Sequence, residues 1–497
     1  MFNLELKKED IGKVLFIISI ILGFYLFITP LSHGIIHIDE YWTFLVVKLP
    51  LLEGVKVTIS DVHPPLYYLI LKFFDKLFIF LNINIDSLIL FKILSILPYF
   101  IILLLSATKL KNEYGWFTAG LFALVLIGVS DFFIQFVTIR MYNWTLLFCL
   151  LSFIVLKDIL ERSEVKFWIL LSIFVTLAAY THYFSIITSA LIYFIIFIFI
   201  VFNKNINFNK KEEFKKFLLS ISTAVILYLP WIFILINQVQ MASGRSVHEV
   251  PLLSNLINYF LIFGVNNESF SIEWILLKLF ALALLIFIFY IFLKSENLEN
   301  LNKFYVSSGI FLYFGTIILG VLLLVITFKP LQGRYLMPVA GILWLSICII
   351  LGKLKNNVFL IISLVLIILL CVGSLSYNVT NFDGYNEGLR DQSELSNLNN
   401  ENNVIIYTQR FHYICFSNFL NKTTEYSTYK YDSPSNDIFV EENISKIVES
   451  NLDKNVYIIQ FVDSEKDLAY EKNISYEKVY NKGHLWFIKL KIKEKNL

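Results

Sequence analysis

The chain has 497 residues, of which 57% are hydrophobic and 16% are charged. Soluble domains carry about 25% charged residues, so this composition excludes a cytosolic enzyme, a secreted disulfide scaffold and a disordered chain. The net charge of +2 gives no indication of nucleic-acid binding. Charge is concentrated at the C-terminus, where 32 of the last 120 residues are charged, against 48 of the preceding 377. The sequence therefore predicts a membrane domain over residues 1–377 and a domain of soluble composition over 378–497.

Eleven apolar segments are long enough to cross a bilayer. They fall roughly at 11–31, 86–108, 116–137, 141–160, 167–184, 185–203, 217–236, 272–293, 304–328, 335–352 and 358–377. The segment 64–81 is also apolar, but it contains Lys72, Asp75 and Lys76, and its apolar residues recur at helical spacing. We expect it to form a helix lying along the membrane surface.

The distribution of basic residues in the short loops predicts the orientation of the chain. One set of loops carries 14 Lys or Arg, and the opposite set carries four. The first set comprises 109–115, 157–166, 204–216, 294–303 and 353–357, and the second comprises 138–140, 182–185, 237–270 and 329–334. We expect the first set and the N-terminus to be cytoplasmic. Eleven spans then place the first loop, 32–85, and the C-terminal domain outside the cytoplasm.

The C-terminal domain alternates strand-like and helix-like segments. Residues 404–407, 456–462 and 485–490 are rich in β-branched and aromatic side chains and predict strands, and residues 444–452 predict a short helix. The sequence therefore predicts a small α/β domain.

Acidic residues and histidines occur in aromatic sequence at both ends of the first external loop. Asp39 and Glu40 follow the first span, and Asp61 and His63 precede the surface helix. One interpretation is a solvated loop that happens to hold charges. The other is functional, because charges against membrane-level apolar surface are costly. A partly desolvated carboxylate there could act as a general base.

Two arginines and a histidine lie at the outer ends of later spans. Arg140 precedes the fourth span, Arg334 precedes the tenth, and His182 lies in the turn between the fifth and sixth. These residues could anchor helix ends or hydrogen-bond at the interface. Alternatively, the guanidinium groups bind a phosphate, for which their planar fork is suited. Carboxylates and arginines beside an open membrane flank suit a reaction on a lipid-linked phosphate, in which a carboxylate deprotonates the attacking group and arginines stabilise the leaving phosphate.

Four motifs in this order resemble the GT-C membrane glycosyltransferases of the branch that includes protein O-mannosyltransferases and lipid A aminoarabinose transferases. They are Asp39-Glu40, Asp61-x-His63-Pro-Pro-Leu-Tyr-Tyr, Arg140-x-Tyr142 and Arg334-Tyr335-x-x-Pro338. The resemblance covers about residues 1–350. It implies an α-helical polytopic GT-C fold with interfacial helices in the first external loop, and an extracytoplasmic domain after the last span also occurs in relatives.

The resemblance also implies the chemistry. The donor would be a sugar on a polyprenyl or dolichyl monophosphate, and transfer to a protein, lipid or glycan acceptor would invert the anomeric centre. Asp39 would be the catalytic base, with Glu40 positioning the base or the acceptor. Arg140 and Arg334 would bind the donor phosphate. The remaining candidates, expected to contact substrate, are Asp61, His63, Tyr142, His182 and Tyr335.

Several alternatives are open at this point. A divalent cation could bind Asp39, Glu40, Asp61 and His63, although a monophosphate held by two arginines has less need of one, and we expect no required metal or other cofactor. Membrane lipids are expected partners, and nucleic acid is not. The chain could instead be a secondary transporter, although its charges lie at the ends of spans and no repeat is present. It could also be a non-enzymatic scaffold with an external binding domain, for which Asp39, Arg140 and Arg334 would be dispensable.

Overall fold

In the computed structural model, the chain is mostly helical, with strands near the C-terminus. The structure describes residues 4–32, 38–129, 135–203, 209–243, 300–327, 333–355 and 357–381, and isolated positions between 279 and 292. Nearer the C-terminus it describes 397–407, 420, 422–427, 429–433, 436–439, 442–461, 474–482 and 485–492. The chain divides into two compact units, Met1–Leu31 with Pro50–Val379, and Ser32–Leu49 with Thr380–Leu497.

The described residues form fourteen α-helices. They are α1 (Leu4–Ser32), α2 (Ile38–Lys48), α3 (Leu51–Ile59), α4 (Leu66–Phe80), α5 (Ser87–Leu105), α6 (Lys111–Gly128), α7 (Tyr142–Glu161), α8 (Val165–Thr181), α9 (Phe184–Phe202), α10 (Lys210–Ser243), α11 (Asn300–Thr327), α12 (Met337–Lys353), α13 (Asn357–Asn381) and α14 (Glu442–Ser450). A short π-helix, Ser106–Leu110, joins α5 to α6, and a 3-10 turn, Gly333–Leu336, precedes α12.

Eight helical stretches in the described part of the chain are long and apolar enough to cross a membrane, and α8 is a shorter apolar helix. One stretch, Ser87–Gly128, has 42 residues and covers nearly all of the predicted span 86–108 and the first part of the predicted span 116–137. At 1.5 Å per residue it would extend about 63 Å as one helix, about twice the hydrocarbon core. The helical path breaks at Gly115, whose φ of 85° and ψ of 167° suit glycine. The predicted span 272–293 lies outside the described residues apart from isolated helical positions.

The predicted loop 109–115 is wrong in its local structure, because the chain stays helical there up to Gly115. Two of its charged side chains, Lys109 and Glu113, pair with residues of α7. Lys109 Nζ lies 2.8 Å from a carboxylate oxygen of Asp158, and Lys157 Nζ lies 3.7 Å from a carboxylate oxygen of Glu113. Ion pairing compensates for burial of these charges, so a polar sequence there does not end the helix.

The segment 64–81, predicted to be a helix, is helical over α4, Leu66–Phe80. Its 15 residues would extend about 22 Å, too short to cross a hydrocarbon core of about 30 Å. Within the helix, Tyr67 and Leu71 are buried. Buried Asp75 accepts a hydrogen bond from Ser87 Oγ at 2.9 Å, which ties α4 to the start of α5.

Helices α7 and α12 form the centre of the first unit, since nearly all of their residues are buried. The two helices pack closely at Gly341, where an added Cβ atom would overlap a methyl carbon of Leu146. Helix α10, in contrast, exposes apolar side chains such as Phe233, which is 70% exposed. Such a surface suits contact with lipid, so the first unit is a multi-pass membrane domain.

The second unit contains α2 and a five-stranded sheet of order β2-β1-β5-β7-β6. The strands are β1 (Asn403–Tyr407), β2 (Thr424–Ser427), β3 (Tyr429–Ser433), β4 (Asn436–Phe439), β5 (Asn455–Phe461), β6 (Ile474–Lys482) and β7 (Leu485–Ile492). β1 runs parallel to β2 and β5, whereas β7 is antiparallel to β5 and β6. Alternate residues of β1, β5 and β7 pack with Ile444 and Val448 of α14. The predicted strands β1, β5 and β7 and the predicted helix are confirmed, as is the α/β class of this part of the chain.

Candidate active site

Pro98 explains how α7 is held against α5. A proline has no N–H to donate to the carbonyl four residues earlier, so Pro98 leaves the Leu94 carbonyl without its helical partner. The indole N–H of Trp144, near the start of α7, donates to that oxygen at 3.0 Å. Asn143 Nδ2 donates to the neighbouring Ser95 carbonyl at 2.7 Å. Two adjacent α7 side chains therefore fix the start of that helix to the proline site.

Arg140 immediately precedes this fixed helix start, and its side chain is 3% exposed. Its Nη2 donates to Nε2 of His63 at 2.8 Å. A guanidinium can only donate, so Nε2 of His63 accepts and the imidazole proton lies on Nδ1. The structure thus brings together the His63 and Arg140 motifs, which lie 77 residues apart in the sequence.

His182 lies in the turn between α8 and α9 and is buried. Its Nδ1 accepts the backbone N–H of Phe184 at 3.3 Å, so Nε2 carries the proton as a neutral donor. Burial, then the positive charges of Arg140 and Arg334, lower the pKa of His182 from 6.5 to about 3. The imidazole is therefore neutral near pH 7 and is not suited to proton transfer there.

Aromatic rings connect His182 to the Arg334 motif. The ring of Tyr335 lies 5.2 Å from the His182 ring, and the ring of Tyr142 lies 5.4 Å from it, both measured between centroids. The Arg334 guanidinium lies 5.9 Å from the centroid of the Tyr142 ring, within the range of a cation–π contact. We call Arg140, Arg334, His63 and His182 the arginine–histidine cluster.

Tyr142 contributes a polar atom as well as a ring. Its hydroxyl is buried and has no hydrogen-bond partner among the described residues. The same holds for Oδ1 of the next residue, Asn143. Buried polar atoms of native proteins are usually hydrogen-bonded to protein, water or ligand. The Tyr142 hydroxyl, whose ring packs against His182 and Arg334, is therefore a candidate hydrogen-bonding group for a polar ligand.

Asp61 belongs to the same unit and acts on the α8–α9 turn. The pKa of the Tyr183 hydroxyl lies above its usual range, chiefly because the group is buried. The hydrogen bond from Trp231 lowers this pKa, and the negative charge of Asp61 raises it. Tyr183 directly follows His182, so the Asp61–His63 segment and the histidine turn are electrostatic neighbours. Asp61 and His63 are both half-buried.

Asp39 and Glu40 lie in the first turn of α2, in the second unit. Carboxylates at a helix N-terminus interact favourably with the helix dipole. Asp39 is half-buried, and Glu40 is 3% exposed. Within the helix, the hydroxyl of Thr43 donates to the Asp39 carbonyl at 3.0 Å.

Two further features concern metal binding and the residues that lie outside the four predicted motifs. Among the described ranges, no three His, Cys, Asp or Glu side chains are grouped so as to hold a metal ion. Asn143, Trp144, Tyr183 and Gln238 hydrogen-bond around the cluster without belonging to any of the four motifs. Their sequence signal is weak, because each is one polar or amphipathic residue in an otherwise apolar segment.

No family model matches the sequence, and no curated protein sequence matches it. Similar solved structures include ArnT from Cupriavidus metallidurans in the apo state, at 10% identity and a TM-score of 0.51, over 96% of this chain and 97% of ArnT. ArnT bound to undecaprenyl phosphate is similar over the same shares, at 10% identity and a TM-score of 0.52. A structure of the Archaeoglobus fulgidus oligosaccharyltransferase with a tethered acceptor peptide matches at 12% identity and a TM-score of 0.43, over 90% of this chain and 69% of that one.

The similarity to ArnT extends over nearly the whole chain and confirms the predicted fold. ArnT is a lipid A aminoarabinose transferase with the GT-C fold, and the present chain therefore has the GT-C fold of membrane glycosyltransferases.

Proposed function

We propose that the protein transfers a sugar from a polyprenyl- or dolichyl-phosphate donor to an acceptor hydroxyl or amine on the extracytoplasmic side of the membrane. The observation that carries this proposal is the arginine–histidine cluster, in which Arg140 contacts His63 at 2.8 Å and Arg334 lies 5.9 Å from the ring of Tyr142, which packs against buried His182. Three further observations support it: the GT-C fold, the undecaprenyl phosphate bound by ArnT, and the low basic content of the loops on the side of Arg140 and Arg334.

The charge of the cluster favours the leaving group over the donor. A sugar–phosphate–lipid diester carries one negative charge, and the released phosphomonoester carries about 1.5–2 near pH 7, as phosphate esters generally do. Two guanidiniums are therefore better matched to the phosphate as the glycosidic bond breaks. Interactions that strengthen in this way stabilise the transition state. The neutral Nε2–H of His182 adds a donor that does not depend on pH near neutrality.

In the proposed reaction, the acceptor attacks the anomeric carbon from the face opposite the phosphate. The bond between that carbon and the phosphate oxygen breaks, and its electron pair leaves on the phosphate. The acceptor proton passes to a carboxylate, for which we propose Asp39, with Glu40 positioning it. Configuration inverts because there is one displacement. In this proposal Tyr142 and Tyr335 contact substrate, as do Asp61, His63 and His182, and no metal is required.

Sugar transfer in membranes tests the proposal. Membranes that contain the protein are incubated with polyprenyl-phosphate donors carrying a radiolabelled sugar, and wild type is compared with Asp39→Asn. The matched control is Arg162→Gln, because Arg162 is an exposed arginine directly after α7, with its guanidinium 2.5 Å from a carboxylate oxygen of Asp158. We expect donor-dependent transfer in wild type and the control, and loss of it in Asp39→Asn at equal protein level. Transfer that survives in Asp39→Asn but disappears in Asp61→Asn would reassign the base. A wild-type protein that neither transfers sugar nor binds polyprenyl phosphate would refute the proposal.

A further inference from the structure

Gln238 connects two loops of the candidate site through a single amide. It lies near the end of α10 and is 1% exposed. Its Nε2 donates to the carbonyls of Thr58 and Ile59, at 2.7 and 3.2 Å, and its Oε1 accepts the hydroxyl of Tyr183. Because carbonyl oxygens only accept, these partners fix which amide atom is nitrogen. Both N–H groups and the oxygen of the amide are thereby used.

The two carbonyls lie at the end of α3, where a helix cannot satisfy its own last acceptors. The Thr58 carbonyl also accepts the backbone N–H of Asp61 at 3.2 Å, so Gln238 adds a second donor there and supplies a donor to the Ile59 carbonyl. These bonds tie the chain leaving α3 to α10. Four residues after Ile59, the chain reaches His63, whose imidazole accepts from Arg140. The position of His63 therefore depends on how the end of α3 is held.

The other side of the amide holds the histidine turn. Tyr183 follows His182, and its hydroxyl also accepts the indole N–H of Trp231 at 2.9 Å. Trp231 and Gln238 both belong to α10, so that helix binds the tyrosine at two points. One helix thus aligns the segment that ends in His63 with the turn that begins at His182.

We propose that Gln238 is a positioning residue for the donor phosphate, holding His63 and His182 in the arrangement that Arg140 and Arg334 require. This inference rests on the proposed function and deepens it. Gln238 itself does not contact the reacting atoms. It positions His63 through the end of α3 and His182 through Tyr183. A carboxylate in its place would keep the shape but could not donate to the two carbonyls.

The test compares Gln238→Glu with Gln238→Met, which has similar length but neither a charge nor an amide, and with Asn237→Asp as control. Asn237 directly precedes Gln238 on α10 and is exposed. Two experiments are made: steady-state kinetics, which gives KM and kcat for a polyprenyl-phosphate sugar donor, and hydrogen exchange of the backbone amides between 58 and 63. We expect both Gln238 variants to raise KM by at least about tenfold and to speed exchange at 60–63, and the control to do neither.

The division between KM and kcat separates positioning from a general folding defect. A poorly folded preparation has fewer active molecules, which lowers kcat but leaves KM unchanged. Unchanged KM and unchanged exchange in Gln238→Met would overturn the inference while leaving the proposed function intact. If wild type neither transfers sugar nor binds polyprenyl phosphate, the proposed function fails, and the exchange data then show independently whether Gln238 holds the α3 end. If Gln238→Glu does not accumulate, Tyr183→Phe gives a milder test, in which faster exchange at 60–63 is again expected.

Discussion

The hydrogen bond between Trp144 and the carbonyl that Pro98 exposes can be tested quantitatively. Trp144→Phe keeps an aromatic ring but removes the indole N–H that reaches the Leu94 oxygen at 3.0 Å. That carbonyl, already deprived of its helical donor by Pro98, would then be left unsatisfied in the helix bundle. Leaving a buried acceptor unsatisfied costs about 1–3 kcal/mol. We therefore expect the free energy of unfolding to fall by about that amount.

A second substitution separates this effect from the loss of ring volume. In a Pro98→Ala background, residue 98 regains an N–H and donates to Leu94, so the indole is no longer the carbonyl's required partner. Trp144→Phe should then cost less, and the two substitutions should couple by at least about 1 kcal/mol. The control background is Pro230→Ala, which removes the proline inside α10. There, Trp144→Phe should cost as much as in wild type.

The measurement is a double-mutant cycle of unfolding free energies in one detergent or bicelle system. Binding of polyprenyl phosphate is measured on the same proteins, because Asn143 and Trp144 fix the helix start that Arg140 precedes. We expect Trp144→Phe to weaken that binding more in the otherwise wild-type protein than in the Pro98→Ala background. Equal costs of Trp144→Phe in both backgrounds would refute the reasoning that proline creates the acceptor.

Two further predictions concern His182 and Gly115. The pKa of His182 is lowered to about 3, so below pH 6.5 the unfolded chain binds a proton that the folded chain does not. The stability advantage of wild type over His182→Asn should therefore shrink by about 1.4 kcal/mol per pH unit as pH falls from 6.5 towards 4.5. Unfolding free energies measured at each pH test this, and a pH-independent difference would contradict the burial of this imidazole. Gly115→Ala should destabilise the fold by about 1–3 kcal/mol, because φ is 85° and the new Cβ would overlap Oε1 of Glu9. Gly373→Ala, in α13 with open space around it, should be neutral or stabilising by up to about 1 kcal/mol, and similar thermal unfolding of the two variants would contradict the break at Gly115.

Much of the fold was predictable because apolar length and charge spacing determine membrane helices directly. The segment 64–81 is an example: Lys72, Asp75 and Lys76 distinguish it from a span, and the structure has a helix of only 15 residues there, Leu66–Phe80. The predicted loop 109–115, in contrast, is helical up to Gly115. Lys109 and Glu113 look like loop residues in sequence, yet their partners on α7 allow the helix to continue. Pairing between residues this far apart in the sequence cannot be inferred from local composition.

In the candidate site, too, some residues could be predicted from local sequence and others depend on contacts between distant segments. His63, Arg140 and His182 were recognisable because charged or polar groups at the ends of spans are rare. Gln238 was not, because its role depends on which backbone carbonyls a helix end exposes, and that is set by the packing of α10 against α3. Asp39, Glu40 and their proposed roles in acid–base chemistry remain predictions.

Binding of polyprenyl phosphate to the purified protein tests the central claim most directly. Wild type is compared with Arg140→Gln, Arg334→Gln and the control Arg162→Gln, by equilibrium binding of the lipid at two salt concentrations. Hydrogen bonds to charged groups contribute about 1.5–3 kcal/mol, so each cluster variant should bind roughly 10- to 150-fold more weakly. Wild type and the control should bind alike. Equal affinity in all four proteins would contradict a phosphate site formed by Arg140 and Arg334, and with it the proposed glycosyl transfer.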